Sequence, residues 1–315
     1  MDKRQVTTGH LLTFITILIW GTTFISTKIL LIDFSPVEIL FFRFLMGYFV
    51  LFLISSRRIR TQSFSEELLF ISAGLCGVTL YFLIENIALV YTLASHVGVI
   101  VSIAPFFTAL LAHFFLEEEK LNTQFITGFL IALTGIILIG LNGSFLLQLN
   151  PIGDLLAFLA PVVWAIYSVL MRKISGLNYP IIGATRRVFF YGLLGMLPTL
   201  FLFEFHLNFK RLGEVANATN LLYLGLGASA LCFVTWNRAV GILGAVKTSV
   251  YIYLVPVITL AASFLILHEK ITWATLTGAF LTLIGSYISE RKIKMIPKKR
   301  IRVRSKAPIP RSYHT

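Results

Sequence analysis

Ten apolar stretches, almost free of charge, follow one another along the chain. They lie at roughly residues 11–31, 36–55, 67–90, 95–115, 123–141, 152–171, 180–203, 218–236, 246–267 and 273–290. Each is about 20 residues, the length of helix that crosses a hydrocarbon core of about 30 Å. A backbone in lipid has no water to bond to, so such stretches fold as helices. The composition agrees: 57% of the 315 residues are hydrophobic and 13% charged, where a soluble domain has about a quarter charged. The one sizeable connection, near Glu204 to Asn217, is too short to fold alone. An ordinary soluble enzyme, a disordered tail protein and a disulfide scaffold are excluded. The expected fold is an all-α membrane protein of ten transmembrane helices.

The net charge of +13 is unevenly placed. Lys3 and Arg4 precede the first stretch, Arg57, Arg58 and Arg60 follow the second, and Arg172 and Lys173 follow the sixth. From Arg291 to Arg311 the tail is basic with no acid. With ten spans all of these share one side, and the other keeps mainly Lys28, Lys210, Arg211 and Lys270. Positive charge is retained inside, so an inner-membrane protein with both termini cytoplasmic is predicted. Residues 1–10 form a cytoplasmic segment and 291–315 a basic cytoplasmic tail that also suits anionic lipid headgroups. Nucleic acid is set aside, because no stacking module or basic fold accompanies the tail. The run from Leu11 is too long for a signal-peptide core and no A-x-A site follows it, so it stays as the first span. Cys76 and Cys232, each within a span, fit neither a metal site nor a disulfide framework. No cofactor is called for.

The halves of the chain repeat each other. Trp20 and Trp164, Lys28 and Arg172, Pro36 and Pro180, and Arg43 and Arg187 are all 144 residues apart. Asn86 and Asn237, Ala88 and Ala239, Ala94 and Ala245, and Pro105 and Pro256 are 151 apart. Glu119-Lys120 and Glu269-Lys270, with Gly128 and Gly135 against Gly278 and Gly285, are 150 apart. Residues 11–141 and 152–290 therefore read as two five-helix repeats. Five is odd, so the second copy enters the membrane from the opposite side. Inverted copies form an alternating-access machine with its solute site near the midplane between the halves.

At these residues the sequence resembles the drug/metabolite transporter superfamily in its ten-helix EamA-type form. The matching pieces are Trp20-Gly21, Pro36 with Arg43-Phe44-Leu45, Asn86-Ile87-Ala88-Leu89, Ser102-Ile103-Ala104-Pro105-Phe106 and Glu119-Lys120 followed by Gly128 and Gly135. The second half repeats them as Asn237-Arg238-Ala239, Tyr253-Leu254-Val255-Pro256 and His268-Glu269-Lys270. The resemblance implies two five-helix bundles around a central cavity and secondary transport of small metabolites, often export of amino acids or related compounds. The family shares no one substrate, so the resemblance does not name the solute. Glu85 departs from it, standing where an apolar or small residue is expected. Its duplicate is Trp236, which implies an asymmetric pocket.

Charges inside spans are costly and are candidates for function. Arg43 and Arg187 lie at matched depths. They serve an anionic solute group, or they satisfy carbonyls and nearby acids; an Arg in both copies points to the structural role. Glu38 is expected at the interface. Glu85, about 7 Å from its helix end, is a candidate to exchange a proton or hold a substrate ammonium, against a water-facing residue of an outer vestibule. His96 and His113 are about 25 Å apart along one helix and cannot share a metal or act as an acid–base pair, so no metal or catalytic constellation is expected. Trp20, Thr23, Tyr81, Asn86, Ser102, Trp164, Tyr167, Trp236 and Tyr253 fall at inner depths and join Glu85 as candidate substrate-binding residues. The alternative for each is helix packing with local hydrogen bonds. Pro105 and Pro256 are candidate hinges or fixed bends. Gly128, Gly135, Gly278 and Gly285 read as close-packing faces.

The reading is a secondary transporter, more readily an exporter, of a small polar or amphiphilic metabolite such as an amino acid. No phosphate-binding G-x-x-x-x-G-K-[ST] stretch is present in the sequence, so the energy comes from a solute or proton gradient. A non-transporting membrane partner and an intramembrane enzyme are the competing readings. The histidine spacing argues against the enzyme.

Overall fold

Each of the ten apolar stretches falls on helix. A computed structural model describes residues 3–290, apart from 57–58, 92–93, 118, 120, 142–149, 204, 206–208 and 268–271. The helices are α1 (Lys3–Leu30), α2 (Pro36–Ile54), α3 (Phe64–Gly74, Leu75–Leu80 and Tyr81–Tyr91 in succession) and α4 (Ala94–Val101 and Ala104–Phe115). Then come α5 (Thr123–Leu141), α6 (Pro151–Ser175) and α7 (Ile181–Leu202). After a five-residue helix, Phe209–Gly213, the last are α8 (Val215–Leu222, Tyr223–Leu231 and Cys232–Leu243), α9 (Ala245–Ser249, Val250–Leu254 and Val255–Leu267) and α10 (Trp273–Glu290). Among the described residues there is no strand, and seven helices (α1 to α4, α6, α8 and α9) are long and apolar enough to cross a membrane. The apolar parts of α5 and α10 are shorter, and α7 carries Arg186 and Arg187. Apolar side chains face outward, with Phe49, Leu53, Leu130 and Phe280 each more than half exposed, a surface suited to lipid tails. The chain is an all-α, multi-pass membrane protein.

The ends of the helices follow from their caps. Ser35 begins α2 with a capping box: its hydroxyl accepts from the Glu38 N–H and the Glu38 carboxylate accepts from the Ser35 N–H. Pro36 fills the first turn, where no amide donor is needed. Glu38, expected at the interface, is in fact buried in this cap and lies 4.0 Å from Arg211. Asn150 caps α6 just before Pro151, its side-chain oxygen accepting from the Gly153 N–H at 3.1 Å. Between α8 and α9 the chain turns at Gly244, whose φ of 91° is open to glycine and strained for other residues.

The helices pack in matched pairs. α1 lies against α8 and α9, and α6 against α3 and α4. α2 lies against α8 and α7, and α7 against α3 and α2. α5 crosses α10 through the four glycines. A Cβ on Gly128 would sit 2.5 Å from the Ser289 amide nitrogen, and one on Gly135 2.4 Å from the Gly278 carbonyl oxygen. Only backbones without side chains fit so closely. Both α3 and α8 contain a π-helical stretch, at Leu75–Leu80 and at Tyr223–Leu231, a rare geometry that is frequent near functional sites.

Arg43 and Arg187 do not share an environment, contrary to their matched sequence depths. Arg43 is buried, donates from Nε to Ser229 Oγ at 3.0 Å and stacks over the Phe82 ring. Arg187 is part-exposed at the α2–α3 connection, where it pairs with Glu67 and donates to the Ile59 carbonyl. Each arginine met what its neighbouring helix offered: a serine and ring faces on one side, a glutamate and a loop carbonyl on the other. Its neighbour Arg186 is the more buried of that pair and donates to the Ser55 carbonyl. The basic tail from Arg291, Arg57, Arg58, Lys120 and the His268-Glu269-Lys270 motif lie outside the described residues, as does the His96 side chain.

Candidate functional site

A cavity of about 40 Å³ lies where α1, α3, α4, α6 and α9 meet. α1 contributes Trp20, Thr23 and Phe24, one helix face by their spacing of three and four. α3 contributes Tyr81, Phe82 and Glu85 directly after its π-helical stretch. Trp164 comes from α6, Val101 and Ala104 from the break in α4, and Ile252 and Val255 from the matching break in α9. A space of this size holds about one water, far less than the several hundred Å³ of a ligand pocket.

Aromatic rings build its walls. Trp20 and Trp164, the repeated pair, meet edge to face with centroids 5.2 Å apart and planes at 86°. Tyr81 tilts against Trp164 at 4.9 Å. Behind them Trp236 packs on Trp20 at 5.0 Å and on Trp164 at 5.7 Å. The Trp20 indole N–H donates to the Ala228 carbonyl at 2.9 Å, and the Thr23 hydroxyl donates to the Trp20 carbonyl at 2.7 Å. Two fully buried lining atoms have no hydrogen-bond partner among the described residues: Glu85 Oε2, an acceptor, and Trp164 Nε1, a donor. Buried polar atoms are seldom left so.

Five of the ten candidate binding residues line this space: Trp20, Thr23, Tyr81, Glu85 and Trp164. Trp236 supports the wall from behind. Tyr167 packs beside Trp164, and its hydroxyl donates to Asn237 Oδ1 at 2.7 Å; Gly77 leaves the room it occupies, since a Cβ there would fall 2.2 Å from its ring. Tyr253 is fully buried beside the cavity residue Ile252, and its hydroxyl has no hydrogen-bond partner among the described residues. Asn86 and Ser102 do not line the cavity. Asn86 donates to the Pro36 carbonyl at 3.1 Å, and Ser102 bonds back to the Gly98 carbonyl of its own helix at 2.6 Å. The Asn86 amide nitrogen and the Ser102 hydroxyl are spent on backbone carbonyls, whereas Asn86 Oδ1 has no hydrogen-bond partner among the described residues. Pro105 starts a fresh helix after the Ser102–Ile103 turn, and Pro256 follows the 3₁₀ stretch Val250–Leu254. Each stands at the head of a new helical segment rather than inside a continuous one.

The sequence reading missed Phe24, Phe82, Val101, Ala104, Ile252 and Val255. An apolar residue in an apolar span carries no signal of its own. Helix phase does: Phe24 is one turn from Trp20, and Phe82 sits beside Tyr81.

An ionic cluster lies at the far end of α4. Glu119 is buried and accepts from the Ala245 and Val246 N–H groups at 3.0 and 2.7 Å, at the start of α9. Arg172 at the end of α6 approaches it at 3.1 Å and also donates to the Gly241 carbonyl. Lys28, the sequence counterpart of Arg172, donates in the same way to the Leu89 carbonyl at 2.6 Å.

Comparison with known proteins gives a consistent picture. The EamA-like transporter family matches residues 7–141 and again 151–290. A transporter of Archaeoglobus fulgidus is 30% identical over 287 residues, covering 90% of this chain and 97% of that one. A protein of Streptantibioticus cattleyicolor, named a probable terminal-alkyne amino-acid exporter, is 29% identical over 70% of this chain and 71% of its own. One solved structure aligns with a TM-score of 0.71 at 20% identity, covering 89% of this chain and 97% of that chain. That likeness speaks to the fold.

Proposed function

The chain belongs to the EamA-like transporter family, a family of transporters and not of enzymes, and from that premise we propose that it exports a small polar or amphiphilic metabolite, such as an amino acid. It does so by alternating access between two inverted five-helix bundles, residues 11–141 and 152–290. The observation that carries this reading is the cavity itself. It is walled by helices of both halves, with the repeated tryptophans Trp20 and Trp164 in contact across it. The exchange of partners supports the inversion: α1 with α8 is answered by α6 with α3, and the glycines of α5 by those of α10. The exporter name carried by the Streptantibioticus cattleyicolor relative supports the solute class and direction.

In this reading ten helices cross the cell membrane and both termini are cytoplasmic. A closed form of this cavity is the midpoint of the cycle, and separation of the bundles at either end admits or releases solute. A gradient of the solute or of protons drives it, with Glu85 the group placed to exchange a proton. Pro105 and Pro256 mark the segment boundaries about which α4 and α9 bend.

The test is flux. Purified protein in liposomes, loaded with a labelled panel of amino acids and amines, is expected to release at least one of them chemically unchanged and faster than empty liposomes. Absence of release across the panel, with the protein folded and both gradients supplied, would falsify the reading.

A further inference from the structure

The chemistry of the cavity wall narrows the solute, given the transport reading above. Among the described residues that line it, Glu85 is the only charged side chain. It is 5% exposed, and its Oε2 has no hydrogen-bond partner among the described residues. Five ring systems share the lining with it: Trp20, Phe24, Tyr81, Phe82 and Trp164. The buried cation nearby, Arg43, does not line the cavity: its guanidinium carbon lies 4.4 Å from the Phe82 ring centroid and its Nε donates to Ser229, while its Nη2 has no hydrogen-bond partner among the described residues and its charge acts on Glu85.

Ring faces carry negative electrostatic potential and attract cations, tightly so where water is excluded. The Glu85 carboxylate is the one charge among the described lining residues, with Arg43 outside the lining offsetting part of it. A solute carboxylate would meet that same charge, with the Trp164 N–H and the Tyr81 hydroxyl as the donors the wall can offer it. We infer that the site recognises a protonated amine, seated on Glu85 with its apolar body among the five rings, and that it makes no dedicated contact to a solute carboxylate. Affinity then follows the order amine, amino acid, carboxylic acid for solutes sharing one body. Glu85 is the residue that sets this order, and the apolar or small residue expected at its position would remove it.

Three probes with one phenyl body separate the cases: phenethylamine, phenylalanine and 3-phenylpropionate. Binding is read from tryptophan emission of the full chain in liposomes, since Trp20 and Trp164 wall the site. Phenethylamine is expected to quench saturably, at least about tenfold tighter than phenylalanine, with no response to 3-phenylpropionate over the same range. Glu85→Gln is expected to weaken phenethylamine at least about tenfold, with Glu85→Asp intermediate and both variants melting as folded protein. The inference is overturned if 3-phenylpropionate binds as well as the amine, if none of the three binds saturably, or if Glu85→Gln binds the amine unchanged. The ranking on the unaltered chain stands even if Glu85→Gln fails to fold. Labelled flux separates the two readings. Amine binding without flux of any solute removes the transport reading and leaves this one, whereas flux of an anionic solute without amine binding does the reverse.

Discussion

Glu85 and Trp164 face one another across a question of pairing: one is an acceptor and the other a donor, and neither finds a partner among the described residues. A buried polar atom without a partner costs about 1–3 kcal/mol, so a site that keeps two of them is built for something that supplies the missing bonds. If Glu85 also exchanges the driving proton, Glu85→Gln should lose uphill transport on a proton gradient even at solute concentrations that saturate its weakened site, where exchange between equal pools persists. Undiminished proton-driven uptake by that variant would remove Glu85 from the coupling. Packing behind the site gives a second outcome. Gly77 lies against the Tyr167 ring, so Gly77→Val forces that ring toward Trp164. It should lower stability by about 1–3 kcal/mol, read as a lower melting temperature in detergent, with part of the loss recovered when Tyr167→Ala accompanies it. A melting temperature unchanged by Gly77→Val would show that the ring has room to move. Sequence made the tryptophans legible because they are rare and repeat at one offset. Asn86 and Ser102 looked alike in kind, and only the structure reveals that the Asn86 amide nitrogen and the Ser102 hydroxyl are bonded to backbone carbonyls.

Among the helices, what the sequence announced is length and polarity, and what it concealed is the interruptions. The breaks at Ser102–Ile103 and Val250–Leu254 could be guessed from Pro105 and Pro256, since the residue before a proline avoids helix. The π-helical stretches of α3 and α8 could not, because an added residue per turn leaves no mark on a uniformly apolar run. Contacts between helices were equally hidden. α1 meets α8 through a line of polar links, Thr16 to Thr235 at 2.7 Å, Thr22 to Tyr223, and Ser26 to Asn220 at 2.6 Å. The corresponding α6–α3 contact has Ala160, Ile166 and Leu170 at the matching positions of α6. Glu119 fixes the start of α9 to the end of α4. Glu119→Ala leaves two buried amide donors and Arg172 without their acceptor, at about 1–3 kcal/mol for each group. The expected result is a clear fall in melting temperature, with Glu119→Gln intermediate because it keeps one acceptor oxygen. Equal melting of Glu119→Ala and the unaltered chain would show that these bonds contribute nothing net.

At the scale of the whole molecule the two-bundle reading makes a demand that a static bundle does not. Contacts between the halves must change during transport, while contacts within a half need not. Thr79 on α3 and Gly195 on α7 belong to different halves, and a Cβ built on Gly195 lies 3.7 Å from the Thr79 Cβ. Ser175 on α6 and Gly241 on α8 belong to the same half, with the corresponding distance 3.5 Å. Both separations suit a disulfide, for which Cβ atoms stand about 3.5–4.5 Å apart. The new side chain at Gly195 displaces the tip of Leu75, a flexible end that can turn aside. With Cys76 and Cys232 first replaced by serine, Thr79→Cys with Gly195→Cys should arrest solute flux on oxidation and regain it on reduction. Ser175→Cys with Gly241→Cys should cross-link as fully and keep its flux. The contrast separates moving halves from mere damage, because both pairs introduce two cysteines and one bond. Flux that persists through a complete Thr79–Gly195 cross-link would mean that the halves do not part along α3 and α7, and alternating access by rigid bundles would have to be given up for this chain.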